Sequence, residues 1–409
     1  MIRDYPFRFP SPAPVFKRLA SMALCALLGW NHAASAQPMD GKPVVAVLQP
    51  NPVPFSESLL HSLKLPPGFE ISVFAQGLGN VRWLQVAANG DVYASRRAQG
   101  EVLLLRDTDG DGVADVQTTV ARIGRVHGLL LHDNKLFMVS DRALDVAEVQ
   151  SDGTLSKPRR LLADLPEGGN HPRRTLGMGP DGWLYLSVGS TCNNCLEANP
   201  EHATLLRLRP DGSQREIFAR GLRNTMGFGW QPKTGQLYGF DHGSDMRGDD
   251  QPPEELNAIV QGKHYGWPWC LGARVPDPVQ PQDPPGTSKQ AFCPSTQAPA
   301  ATYTAHSAPI GFVFYTGTQF PKNYQGDGFV AMRGSWNRSR PSGYRVLRVR
   351  FGADGKPIGM QDFVTGWLLD TQPPTQFGRI AGLAVAQDGS LLIAEDQNGV
   401  IYRVRYTGR

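Results

Sequence analysis

A short turn-plus-strand motif recurs six times along this chain of 409 residues, and it restricts the fold more tightly than any other feature. The clear copies are Asn89-Gly90-Asp91-Val92-Tyr93, Asp133-Asn134-Lys135-Leu136-Phe137, Pro180-Asp181-Gly182-Trp183-Leu184-Tyr185 and Lys233-Thr234-Gly235-Gln236-Leu237-Tyr238. Weaker copies are Gln325-Gly326-Asp327-Gly328-Phe329-Val330 and Gln387-Asp388-Gly389-Ser390-Leu391-Leu392. Asx-Gly pairs supply the positive φ angles of a two-residue hairpin turn. The alternating apolar residues that follow suit a strand buried on one face. The copies lie about 45–60 residues apart, with one gap of about 90 between the fourth and fifth, and a period of this size marks a propeller blade. The sequence therefore predicts an all-β, six-bladed β-propeller with almost no helix. The long gap holds residues 249–299, rich in Pro, Gly and polar residues, and reads as a loop insertion on one face. Strands around Phe69 to Phe74 and Val400 to Tyr406 are expected to close the ring within one blade.

A polar residue precedes the apolar strand ahead of each copy. These residues are Arg82, His127, Arg174, Arg223 with Asn224, His306 and Arg379. At the entries to innermost strands they would converge on one mouth of the central channel. Such a concentration of donors and positive charge suits an anionic, carbonyl-rich ligand. The 45 Gly and 34 Pro recur along the whole length, as many tight turns require. The net charge of +4 carries no block of like sign, which argues against a nucleic-acid or membrane-surface role.

The N-terminus reads as an export signal. Arg3, Arg8, Lys17 and Arg18 precede an apolar run from Leu19 to Trp30, and Ala34-Ser35-Ala36 is a small-x-small cleavage site. The run is too short to span roughly 30 Å of hydrocarbon. Cys25 follows Leu24, which is too large for a lipoprotein-type site. The expected organisation is a signal peptide over 1–36, an N-terminal extension over 37–65 and the propeller over 66–409, in a periplasmic or secreted protein. Four cysteines remain: Cys192, Cys195, Cys270 and Cys293. An even number in an oxidising compartment favours disulfides. Of three possible pairings, Cys192–Cys195 with Cys270–Cys293 needs the least rearrangement of chain. Leu196 after the CxxC excludes a c-type haem site. An acidic run places Asp107, Asp109, Asp111 and Asp115 at positions 1, 3, 5 and 9 of a calcium-loop pattern, with Thr118 where the twelfth-position acid belongs. It is either a surface turn or a second calcium site, and in neither case catalytic.

Two stretches are more specific, Asn170 to Leu186 and Arg220 to Trp230. Together with Pro66-Pro67-Gly68-Phe69, Glu255-Leu256-Asn257, Tyr265-Gly266-Trp267-Pro268, Gly334 to Ser339 and Gly378-Arg379, they resemble the soluble pyrroloquinoline quinone (PQQ) sugar dehydrogenases, the sorbosone-dehydrogenase-like branch most. The resemblance covers about Pro66 to Tyr406 and rests on the ordered set of motifs. It implies a six-bladed propeller holding PQQ and Ca²⁺, which oxidises a sugar, polyol or related aldehyde and passes electrons to a periplasmic acceptor such as a cytochrome or quinone. It implies His171 as general base, a task for which imidazole needs little tuning. Arg223 would stabilise the quinone oxygen as it gains negative charge. Asn224, His306 and Arg379 would join them on the cofactor, and the backbone carbonyls of Gly243 and Ser244 would ligate calcium. Three positions depart from the family pattern. Asn170 replaces a frequent Asp. The second arginine expected after Arg379 is apolar here. A lysine near the fifth blade is absent, which leaves Arg333 or Arg338 as its substitute.

Two rival functions fit a six-bladed propeller. A calcium-dependent lactonase-like hydrolase requires acidic ligands at the strand entries, where this chain places mostly Arg, His and Asn. A propeller that only binds a partner or glycan is favoured by the missing basic residues.

Overall fold

A computed structural model describes residues 45–409. The signal reading of 1–36, Cys25 included, and the first part of the 37–65 extension lie outside the described residues. Six four-stranded antiparallel sheets make up the fold, each a meander of neighbouring strands. Every copy of the repeat falls on the turn between the first and second strand of one sheet, as in Val81–Val86 with Val92–Arg96 and Phe228–Trp230 with Leu237–Asp241. The sixth sheet is assembled from both ends of the domain. Phe69–Ala75 pairs with Val400–Tyr406, which continues through Leu391–Glu395 to Ile380–Val385.

Only one of the turns is the two-residue hairpin expected of the repeat. His132 pairs directly with Lys135, and Asp133 and Asn134 both take positive φ. At Asn89-Gly90 and at the equivalent turns of the third and sixth sheets, the loop is one residue longer. The glycine N–H donates to the carbonyl three residues back (Gly90 to Ala87, Gly182 to Gly179, Gly389 to Ala386) and its φ is positive. A single left-handed residue after a type I turn absorbs the twist that the primed turn handles with two. The glycine signal was right, and the turn class was not.

Consecutive sheets are glued face to face. Leu84, Val92 and Leu103 of the first sheet pack with Leu392, Ala394 and Ile401 of the sixth. Phe137 and Val146 of the second pack with Leu184 and Leu206 of the third. Phe240 and Leu256 of the fourth pack with Val330 and Leu347 of the fifth. Glycines let the first strands crowd one another. A Cβ on Gly128 would collide with the carbonyl of Arg174, one on Gly311 with that of Ala381, and one on Gly382 with that of Arg82. Each clash falls on the first strand of the following sheet or on the residues just before it, so these positions require glycine for close approach of backbone.

The long gap is not all insertion. Glu254–Ile259 is the third strand of the fourth sheet and Ala301–Tyr303 its fourth. The excursion between them carries a small hairpin, Cys270–Leu271 with Val275–Pro276, and the single α-helix of the described residues, Lys289–Phe292. Alternation alone could not mark Glu254–Ile259, because it opens with two acidic residues.

Both disulfides have the expected local pairing, Cys192–Cys195 and Cys270–Cys293. The second closes the excursion across a separation of 23 residues. Replacing Cys270 and Cys293 together by serine is expected to cost about 3 kcal/mol of stability by the loop-entropy relation. Denaturant unfolding would measure it, and a loss well under about 1 kcal/mol would contradict the crosslink's role. No helix among the described residues is long and apolar enough to cross a membrane.

Candidate active site

Antiparallel pairing puts the start of each first strand beside the end of its second strand. Val81 lies opposite Arg96, Gly128 opposite Val139 and Ile380 opposite Glu395. Residues entering the first strand and residues leaving the second therefore share one rim. Of the entering side chains expected from sequence, Arg82, Arg223, Asn224 and Arg379 stand there, whereas His127 and Arg174 are fully buried in bonds to backbone carbonyls. The leaving set adds Arg97, Asp141, Gly189, His242, Arg333 and Asp396, which sequence reasoning largely missed.

Positive charge gathers around Asp396. Arg82 pairs with one carboxylate oxygen and Arg333 with the other, at 2.5 Å. Burial alone would raise this carboxyl, but the charges of Arg333 and Arg82 overcome it and hold the group well below the usual carboxylate range. Arg173 and Arg379 lie within electrostatic reach of the same carboxylate. Burial, with repulsion from Arg333, pushes Arg379 down to about 10. The Nε atoms of Arg173 and Arg379 are buried with no hydrogen-bond partner. Buried donors without acceptors, beside cations outnumbering their counter-charge, describe an anion site. Arg333 thus stands in the cluster, and Arg173 supplies a further cation that the apolar residues after Arg379 do not. Arg338 and His306 are not brought here. Arg338 binds the Asp249 carbonyl and the Asp250 carboxylate, and His306 Nε2 lies 2.8 Å from the Gly248 carbonyl. Both hold the loop after the fourth sheet's second strand, a role set by tertiary packing that strand-entry position does not reveal.

His171 sits on the loop entering the third sheet. Fully buried Arg174 anchors that loop by donating to the carbonyls of His171 (2.8 Å) and Pro166 (2.9 Å). A Cβ on Gly189 would strike His171 and the Asn224 side chain, so this glycine leaves the space in which those two meet. His171 Nδ1 lies 2.9 Å from Ser190 Oγ and 3.0 Å from the Ser190 carbonyl. Burial, then the charge of Arg223 and the ring of His242, pushes the imidazole down to about 3. It is therefore neutral across the physiological range in the cofactor-free protein. On acidification from pH 7 to pH 5 its ring NMR resonances are expected to stay in place, whereas titration centred near 6.5 would contradict this environment.

Arg223 and Asn224 are set by Asp241, the last residue of its strand. Its carboxylate accepts the backbone N–H of both at 2.8 Å and the Thr225 hydroxyl at 2.8 Å. The Arg223 guanidinium donates to the Asn193 carbonyl, the Asn193 side chain and Asp245, each at 2.9 Å. Asn224 Nδ2 lies 3.3 Å from His242 Nδ1. Behind Arg223 is a cavity of about 20 Å³, lined by Asp241, Gly243, Ser244, Glu255 and Tyr265 among others. Burial pushes Glu255 up to about 8, with Asp241 adding repulsion, and pushes Asp241 up to about 6. The walls are mixed, with Pro252, Trp267 and Leu271 beside the oxygens of buried Asp241 and half-buried Glu255, and a hard cation held among those oxygens would reverse both shifts.

The acidic run lies apart, between the third and fourth strands of the first sheet. Asp107, Asp109 and Asp115 each offer an oxygen within 4.8 Å of the others, while Asp111 accepts the Val113 N–H at 2.7 Å. Asp107 also accepts the N–H groups of Gly110 and Gly112, and Asp115 that of Thr108, so these carboxylates already serve the turn.

Comparison with known proteins agrees with this architecture. A family model described as TrAA12-like matches residues 63–407. An uncharacterized protein of Borreliella burgdorferi is 27% identical over 366 residues, covering 86% of this chain and 93% of that protein. The aldose sugar dehydrogenase YliI of Escherichia coli is 26% identical over 253 residues, covering 53% of this chain and 64% of that protein. Among solved structures, the holo form of the pyranose dehydrogenase PQQ domain from Coprinopsis cinerea superposes with a TM-score of 0.72 at 20% identity, covering 87% of this chain and 98% of that one.

Proposed function

The chain belongs to the TrAA12-like family, and from that premise we propose that it is a PQQ-dependent dehydrogenase of sugars, polyols or related aldehydes. The observation that carries this reading is the convergence of Arg173, Arg333 and Arg379, two of them with unpartnered buried Nε atoms, beside the neutral imidazole of His171. PQQ, when bound, supplies a quinone that accepts hydride from the substrate carbon. Its carboxylates suit guanidinium partners, and these three arginines would hold them. His171 takes the substrate hydroxyl proton at Nε2 as general base. Arg223 offers a fixed positive charge to an oxygen that becomes negative. Calcium is the cation proposed for the cavity behind Arg223, ligated by the carbonyls of Gly243 and Ser244 with Asp241 and Glu255 alongside. The six sheets are read as six blades of one propeller over 66–409. Residues 1–36 are read as an export signal, placing the enzyme in the periplasm or outside the cell, where a cytochrome or quinone accepts its electrons.

The test is reconstitution. Apo protein titrated with PQQ and CaCl₂ is expected to develop a bound-quinone absorbance that bleaches when an aldose is added and returns with an artificial electron acceptor. Chelation by EDTA before titration should weaken binding. A protein that binds no PQQ at saturating calcium would overturn the reading.

A further inference from the structure

The four-residue ring closed by Cys192–Cys195 touches Arg223 through Asn193 and reaches His171 through Ser190. Ser190 Oγ donates to the Cys192 carbonyl at 2.7 Å, so its only proton is committed. The oxygens facing His171 Nδ1, Ser190 Oγ and the Ser190 carbonyl, are then both acceptors. Nδ1 must carry the ring proton, which leaves the Nε2 lone pair free. One residue further on, Asn193 accepts Arg223 Nε on its carbonyl and Arg223 Nη2 on its side chain. The same side-chain oxygen accepts the Asp245 N–H at 2.7 Å, and Asn193 Nδ2 donates to the Asp245 carbonyl at 3.0 Å. Asn194 ties the ring to the excursion of the fourth sheet, donating to buried Asp277 at 2.6 Å and accepting from Gln280 at 2.7 Å. Asp277 is in turn paired with buried Arg247 at 2.9 Å.

We propose that the Cys192–Cys195 ring is a positioning element of the active site, with Cys192 fixing the Ser190 hydroxyl that, beside the Ser190 carbonyl, holds the Nδ1–H of His171, and with Asn193 setting the orientation of Arg223. The inference rests on the dehydrogenase reading for its catalytic consequence, but its structural half does not. A disulfide spanning three residues holds the carbonyls of Cys192 and Asn193 in one relative geometry. One rigid ring thereby keeps the base and the charged donor in register, and small losses of register are costly in catalysis. Arg223 Nη1 is left as the guanidinium nitrogen to which no protein acceptor is assigned among the described residues.

Two variants test this, Asn193→Ala and the double Cys192→Ser/Cys195→Ser, each examined apo and after loading with PQQ and calcium. The apo readout is ¹⁵N NMR of the histidine ring. Wild type and Asn193→Ala should show His171 as the Nδ1–H tautomer with matching ring resonances, and the cysteine-free protein shifted or broadened His171 ring resonances as the Ser190 hydroxyl is released. The loaded readout is the split between kcat and KM for an aldose. Asn193→Ala is expected to lower kcat about 10–100-fold with KM and PQQ affinity nearly unchanged, the pattern of lost orientation. A wild-type kcat in Asn193→Ala overturns the positioning of Arg223. An Nε2–H tautomer in the wild type, or unchanged His171 ring resonances in a folded cysteine-free protein, overturns that of His171. Should the cysteine-free protein not fold, the Asn193→Ala kinetics and the wild-type tautomer still decide. Absence of PQQ-dependent turnover in the wild type would defeat the dehydrogenase reading instead, and the apo NMR result would stand apart from it.

Discussion

Replacing His171 by alanine is expected to reduce turnover of the PQQ- and calcium-loaded protein by about 10²–10⁴-fold, the usual contribution of a positioned general base. Folding and cofactor affinity should change little, because the side chain's hydrogen bonds go only to Ser190. The size of the effect depends on the basicity of the imidazole in the working state. A base held down near 3 is weak at neutral pH, and the causes of that depression are burial, the charge of Arg223, the ring of His242 and, least, the charge of Arg173. An anionic ligand among those arginines offsets their charge, so the His171 pKa should rise on loading, toward the range where general-base catalysis is most effective. NMR titration of apo and loaded protein would measure that rise. Wild-type turnover in His171→Ala would refute the assignment. An unchanged His171 pKa on loading would mean that the anion lies elsewhere.

The sequence revealed the six four-stranded sheets because the repeat is a local pattern of glycine and alternating apolar residues, and each copy lies on the hairpin between the first two strands of a sheet. It revealed half of the rim for the same reason. Polar residues entering the first strands were visible ahead of apolar runs, and Arg82, Arg223 and Arg379 stand there. The other half follows the second strands, where Arg333 and Asp396 come directly after Met332 and Glu395. Hairpin pairing alone carries these positions to the same rim, so counting out from each repeat to its strand end would have found Asp396. Gly189 occupies the equivalent place in the third sheet, and its lack of a side chain makes the room for His171. Arg173 was hidden differently. It lies beside His171 in sequence, and nothing local distinguishes a cation for a ligand from Arg174, which is buried against backbone carbonyls. Which of two adjacent arginines lies within reach of Asp396 is a matter of loop conformation, and so is the turning of Arg338 and His306 toward 248–250.

Replacing Arg379 or Arg173 by alanine is expected to weaken PQQ binding about 10–100-fold each, as loss of a charge-assisted hydrogen bond worth about 1.5–3 kcal/mol implies. The two effects should exceed that of Arg338→Ala, whose guanidinium is engaged with the 249–250 loop. A second consequence has the opposite sign. In the apo protein Arg173 is a half-buried cation whose pKa is lowered by burial and by Arg97 and Arg333, with an Nε that bonds nothing. Its removal relieves repulsion and an unsatisfied donor, so apo Arg173→Ala should melt at or above the wild-type temperature. With PQQ present the order should invert, because the wild type gains ligand stabilisation that the variant has largely lost. A residue with a merely structural role would destabilise both states on removal. Thermal unfolding of both proteins, with and without PQQ and calcium, therefore separates the possibilities. Equal PQQ affinity in Arg173→Ala, or a clear loss of apo stability, would show that Arg173 serves the fold and that the cofactor's carboxylates are held by other residues.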